Sequence, residues 1–169
     1  MTLPFAFVAV LFAVGPEPGT TNDPVISAPA ILAIDTIPDI RVTRGDTTLV
    51  PVTLSVAAGY HVQANPAGGE FLIPLEMQLD PVEGLVFGEA TYPQAVPYRL
   101  ANSEDILQTY EGTFSVGVPV AALEVGTFGV NGRVRYQACD AKRCLFPSTI
   151  PFTFRISAQG KLEKELDDD

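Results

Sequence analysis

The chain has 169 residues, with ten Lys and Arg against twenty Asp and Glu and a formal net charge of −10, which makes nucleic-acid phosphates and anionic lipid poor partners. One ordinary domain accounts for this length, and such a domain buries roughly 70% of its unfolded surface, so no disulfide is needed merely to fold. Fifteen Pro, fourteen Gly and ten Phe, with recurrent Val and Thr, favour short strands joined by turns over long helices.

Residues 1–15 open with Met-Thr-Leu-Pro and run apolar from Phe5 to Val14. That length suits a signal-peptide core and falls short of the roughly 20 residues that span a bilayer. Ala13 and Gly15 offer small residues for cleavage, although no Lys or Arg precedes the run. The expectation is export to the periplasm or beyond, with no lipid anchor and no membrane span in the mature chain. Residues 16–30, rich in Pro, Gly and Thr, are expected to form a flexible N-terminal segment.

Residues 31–158 carry the expected domain. Ile40 to Thr43 is a short predicted strand, and Val50, Val52, Leu54 and Val56 alternate with Pro51, Thr53 and Ser55, as a half-buried strand requires. Tyr60 to Ala64 follows as a weaker strand. Leu75, Met77 and Leu79 alternate with Glu76, Gln78 and Asp80, and Leu85 to Tyr92 is another weak strand. Tyr92 to Gln108 breaks the pattern and reads as a long loop, the kind that is often functional in a compact domain. Tyr110 to Val118 is predicted as one strand with Phe114, Val116 and Val118 inward. Phe128, Val130, Val134 and Tyr136 share the next face, and Ile150, Phe152, Phe154 and Ile156 the last. Turns are predicted at Arg44-Gly45-Asp46, Pro66 to Gly69, Pro81 to Gly84 and Glu124 to Gly126. Seven or eight strands at this spacing form an all-β sandwich. Residues 159–169 read as an acidic, solvated tail.

Cys139 and Cys144 are the only cysteines and flank Asp140-Ala141-Lys142-Arg143 between two of the clearest strands. If those strands are hairpin neighbours, the Cα atoms at the hairpin mouth can lie within the roughly 4.4–6.8 Å that a disulfide requires. Closing a loop of about six residues stabilises by only roughly 2 kcal/mol in the chain-entropy model. Weakly stabilising bonds near the surface exchange more readily than buried structural ones. Lys142 and Arg143, immediately before Cys144, favour its thiolate, whereas Asp140 opposes ionisation of Cys139. Cys144 is therefore the sulfur expected to engage a partner, and on the residues alone both functional exchange and a structural staple stand. His61 is the only histidine. It leaves a metal site one ligand short unless a carboxylate joins the cysteines, and it reads as an ordinary strand-edge residue. Gly68-Gly69 reads as a turn, and no G-x-S-x-G elbow is present.

The segment V-R-Y-Q-A-C-D-A-K-R-C-L-F-P, from Val134 to Pro147, resembles the active-site hairpin of the N-terminal periplasmic domain of the thiol:disulfide interchange protein DsbD. G-Y-H-V-Q-A-N-P from Gly59, followed by E-F-L-I-P-L from Glu70, is similar to a second signature of that family, and the resemblance covers roughly Ile31 to Ile156. It implies an immunoglobulin-like antiparallel β-sandwich that passes electrons between thiol-disulfide proteins in the periplasm. Cys139 and Cys144 become the redox pair, with Cys144 forming the mixed disulfide. The family's cap loop falls on Arg99 to Gln108, which contains no Phe or Tyr. Leu100, Ile106 or Leu107 is then expected to cover the pair, with Tyr98 just outside. Tyr60 and Tyr136 are expected either to line the site or to pack in the core. Phe146 stands where Pro is commoner.

The family's full-length transporter continues into a membrane bundle and a thioredoxin-like domain. The expected partners are accordingly thioredoxin-like redox proteins and a separate membrane electron donor, with a monomeric chain and no cofactor of its own. Two other readings remain: an exported immunoglobulin-like binding or assembly module whose disulfide only pins a hairpin, and a handler of a soft ion such as Cu(I) through Cys139, Cys144 and His61.

Overall fold

The computed structural model describes residues 30–101 and 104–161. The expected signal peptide, residues 1–15, lies outside the described residues, as do 16–29 of the N-terminal segment and 162–169 of the acidic tail.

Twelve strands are formed among the described residues: β1 (Leu32–Ile34), β2 (Ile40–Thr43), β3 (Thr47–Val56), β4 (His61–Gln63), β5 (Glu76–Leu79), β6 (Leu85–Phe87), β7 (Val96–Arg99), β8 (Ile106–Tyr110), β9 (Thr113–Ala122), β10 (Gly126–Tyr136), β11 (Ala138–Cys139) and β12 (Ser148–Gln159). They make three four-stranded sheets, in the orders β1-β3-β9-β6, β2-β12-β10-β5 and β11-β4-β8-β7. The first two are the layers of an immunoglobulin-like sandwich. Their pairings are antiparallel, except that β2 runs parallel to β12.

Strict alternation builds the core. Val50, Val52 and Leu54 on β3, Val116 and Val120 on β9, Val130 and Val134 on β10, and Ile156 on β12 are buried in one continuous cluster. β-Branched side chains are stiff at χ1 and fill a pleated face with little loss of freedom, which is why Val dominates. Pro51 sits within β3 without cost. Its register partner Gly117 bonds through both backbone groups to Thr91, and β1 pairs with Leu54 to Val56, so among the described residues the missing N–H of Pro51 faces an open edge. Gly132 on β10 is a close-approach position. A Cβ there would lie 2.5 Å from Phe152 Cζ and 2.7 Å from Leu79 Cδ2.

Several boundaries differ from those read in the sequence. The expected single strand Tyr110 to Val118 is broken at Glu111-Gly112, where Gly112 has φ +60° and the chain turns from β8 into β9. The apolar alternation continues across the break, with the rings of Tyr110 and Phe114 packed at a tilt, 4.7 Å between centroids. Only Leu85–Phe87 of the expected strand Leu85 to Tyr92 is formed. The expected loop Tyr92 to Gln108 instead contains β7 and the start of β8, paired as a hairpin from Val96↔Thr109 to Arg99↔Ile106. Pro97 is tolerated because β7 lies at the edge of its sheet. Gln159, expected to open the tail, is the last residue of β12 and pairs with Thr43. Lys161 forms a 3.0 Å ion pair with Asp46.

Candidate functional site

β10 and β12 pair without interruption from Gly126↔Ala158 to Tyr136↔Ser148. The eleven residues from Gln137 to Pro147 are the excursion that joins them, and both cysteines lie on it. Two arms hold the excursion in place. Gln137 donates from Nε2 to the Leu145 carbonyl at 3.1 Å and accepts from the Ile73 N–H on Oε1 at 3.0 Å. The Leu145 N–H donates to the Ala138 carbonyl at 2.7 Å.

The tip of the excursion turns for a local reason. Asp140 Oδ1 accepts from the Lys142 N–H at 2.7 Å and the Arg143 N–H at 2.9 Å, and the Asp140 N–H donates to the Arg143 carbonyl at 2.9 Å. Aspartate makes such turns because its short carboxylate reaches the backbone two and three residues ahead. Those two N–H donors hold the Asp140 carboxyl below its ordinary range, with the Arg143 and Lys142 charges adding to the effect.

Cys139 and Cys144 face each other as an antiparallel bridge and are joined by a disulfide. Their Cα atoms are 3.8 Å apart, closer than the span expected from the sequence. Cys139 is completely buried and Cys144 half-buried. Cys144 forms part of the wall of two clefts. One, of about 420 Å³, is lined also by Gln137, Arg143, Leu145 and Phe146; the other, of about 380 Å³, is lined also by Phe71, Leu100, Ile106 and Leu107. Phe146 is 94% exposed and Phe71 89%, so each cleft carries an exposed aromatic ring on its rim.

Behind the sulfurs lies β4. It pairs with β11 through Cys139↔His61 and Ala138↔Val62, and with β8 through Val62↔Tyr110 and Gln63↔Thr109. His61 is thus buried on an inner strand, not at a strand edge as the sequence suggested. Its ring packs on Tyr98 at 3.8 Å between centroids. Burial lowers the His61 pKa from its ordinary value, opposed by the charges of Glu111 and Asp140. Gln63, fully buried, donates from Nε2 to Cys139 Sγ at 3.1 Å and approaches Cys144 Sγ at 3.7 Å. Among the described residues, His61 Nε2 and Gln63 Oε1 have no hydrogen-bond partner.

The side chains singled out in the sequence fall into two groups. Tyr98 covers His61, and Leu100, Ile106 and Leu107 share a cleft with Cys144. The Ala101 N–H donates to the Ala141 carbonyl at 3.1 Å, tying the tip of the β7-β8 hairpin to the cysteine loop. Asn102 and Ser103, within the expected cap, lie outside the described residues. Tyr136 is buried in the core, and burial raises its pKa against a hydrogen bond with Ser148. Tyr60 packs at the core's edge and lines a cleft with Gly59 and Glu111. The local sequence does not single out Gln63, Gln137, Phe71 or the burial of His61. A glutamine on an alternating strand reads as solvent-facing, and only the covering of β4 on both faces makes it internal. Among the described residues, no group of three His, Cys, Asp or Glu side chains is placed to hold a metal ion, and no helix is long and apolar enough to cross a membrane.

Residues 28–155 match the family described as "Thiol:disulfide interchange protein DsbD, N-terminal". No curated protein matches. Among solved structures, the N-terminal periplasmic domain of ScsB from Proteus mirabilis is similar at 12% identity and TM-score 0.45, covering 68% of this chain; the chain spans 43% of that one. The reduced N-terminal domain of Neisseria meningitidis DsbD is similar at 18% identity and TM-score 0.44, covering 65% of this chain and 82% of the other. A PapD-like domain of human CEP192 is similar at 12% identity and TM-score 0.39, covering 88% of this chain and 100% of the other.

Proposed function

The chain belongs to the family of DsbD N-terminal domains, and from that premise we propose that it is an extracytoplasmic redox relay working through the Cys139–Cys144 pair. The unit of exchange is residues 31–158, exported by the segment 1–15. The observation that carries the reading is the asymmetry of the disulfide, with Cys139 sealed inside and Cys144 on the wall of two clefts.

The difference in access supports one order of steps. When reduced, Cys144 thiolate attacks a sulfur of an oxidised partner's disulfide, and the partner's other sulfur leaves as thiolate. Cys139 thiolate then attacks Cys144 Sγ, the mixed disulfide breaks, and the partner departs fully reduced. Two electrons have passed to the partner, and the domain is left with the closed disulfide seen here. The partner in this scheme is a thioredoxin-like protein whose reactive pair approaches Cys144 beside the exposed rings of Phe146 and Phe71. Recharging calls for a membrane electron donor that reduces the pair. The β7-β8 hairpin acts as the cap in this scheme, with Tyr98, Leu100, Ile106 and Leu107 in the covering roles.

The test is the equilibrium reduction potential of the pair in thiol buffers, read by mass after alkylation. A value above about −250 mV supports the relay, and one below about −300 mV makes the bond a structural staple. With the wild type exchangeable, Cys139→Ala is expected to accumulate mixed disulfides through Cys144; stronger accumulation by Cys144→Ala reverses the assigned roles.

A further inference from the structure

The exchange leaves one problem for the fold to solve. When a partner thiolate attacks Cys144 Sγ of the oxidised pair, the Cys139–Cys144 bond breaks and its electron pair departs on Cys139 Sγ. A new disulfide then joins the partner to Cys144. The partner's second thiolate next attacks the partner sulfur of that bond and expels Cys144, so the partner ends oxidised and the pair has gained two electrons. In the first step, negative charge collects on a sulfur with no exposed surface, where loss of hydration penalises a thiolate.

We propose that Gln63 is a catalytic residue of this exchange, its side-chain amide stabilising the charge that develops on Cys139 Sγ; the proposal rests on the relay reading above. The donor is already aimed, with Nε2 at 3.1 Å from Cys139 Sγ and 3.7 Å from Cys144 Sγ. It is also held. The Gln63 N–H donates to the Gln137 carbonyl at 2.9 Å, and its own carbonyl accepts from the Leu75 N–H at 3.1 Å, so both backbone groups are fixed while the amide points at the bond.

A disulfide sulfur is a weak acceptor and a thiolate a strong one. The contact therefore strengthens as the bond opens, which is the condition for lowering a barrier instead of merely binding the resting state. A leaving thiol whose anion is stabilised leaves faster. The same donor stabilises the Cys139 thiolate when it acts as the resolving nucleophile in the opposite direction. Packing alone does not account for a glutamine here. Its Oε1 is buried with no partner among the described residues, a cost that a leucine at the same position avoids.

The experiment compares reduction of the oxidised wild type, Gln63→Leu and Gln63→Glu by dithiothreitol across pH. In parallel, Cys139 thiolate is titrated by its ultraviolet absorbance in a Cys144→Ser background with and without Gln63→Leu. Gln63→Leu is expected to fold and to be reduced about tenfold more slowly or worse, the order of one charge-assisted hydrogen bond. It should also raise the Cys139 titration midpoint. Gln63→Glu should slow further as its carboxylic acid ionises, and it serves on its own if Gln63→Leu does not fold. Wild-type rates and unmoved midpoints in variants that melt normally overturn the role of Gln63 and leave the relay standing. A wild-type pair with the potential of a structural disulfide overturns the relay itself.

Discussion

Replacing Tyr98 by Ala is expected to unlock the disulfide without unfolding the sandwich. Tyr98 lies on the edge strand of the small sheet, and its ring packs on His61 at 3.8 Å between centroids, while His61 is the register partner of Cys139. The aromatic pair contributes about 0.5–1.5 kcal/mol, and the half-buried ring adds roughly 1–1.5 kcal/mol of apolar burial. Together these favour the closed hairpin by about 1.5–3 kcal/mol. At about 1.4 kcal/mol per factor of ten, the open population rises roughly 10- to 100-fold. When opening and closing are fast, attack on a protected bond scales with that population. Native-state reduction by limiting dithiothreitol, quenched with acid and read by mass, should accelerate by the same factor. Tyr98→Phe keeps the ring and should remain near the wild-type rate. An unchanged rate in Tyr98→Ala, or an acceleration accompanied by an equal loss of global stability, refutes the hairpin as a local guard.

Gly132→Ala places a methyl group against Phe152 and Leu79, with approaches of 2.5 and 2.7 Å that force both side chains to move. The overpacking costs about 1–3 kcal/mol, visible as a lowered melting temperature. His61 is buried with its pKa lowered by desolvation, so as pH falls through about 6.5 the unfolded chain binds a proton that the folded one refuses. Stability is therefore expected to decline on acidification from neutral pH until the folded-state pKa is reached. Because this is the only histidine, the slope between about pH 8 and pH 5.5 should flatten in His61→Phe, and a chemical-denaturation series measures it.

The sandwich was legible because its strands obey one rule over long spans. β3, β9, β10 and β12 run ten to twelve residues, with apolar side chains at alternate positions and one face in the core. The cysteine pair was legible from composition alone. What the local sequence conceals belongs to the third sheet, whose strands run only two to five residues and answer to two environments. In β4, Val62 faces the core while Gln63 reaches the sulfurs and His61 packs on Tyr98, so all three are buried and no alternation of polarity remains. In β7, Pro97 and Arg99 look like loop residues because the strand lies at an edge. The turn at Glu111-Gly112 was invisible since the apolar alternation continues across it. Short polar strands are set by their neighbours across the sheet, and neighbours are not written in the local sequence.

The register between β10 and β12 also bears on how such a domain can be altered. The two strands form an eleven-residue ladder that closes at Tyr136↔Ser148, and everything chemical on that hairpin hangs beyond its last rung. A segment anchored at both ends by a rigid ladder can be exchanged for another of similar span, since the closing pair fixes where the replacement leaves and returns. Residues 137–147 thus amount to a cassette. Other reactive loops grafted at Tyr136 and Ser148 would inherit the alignment of the ladder, and the clefts beside it would be remade by each insert.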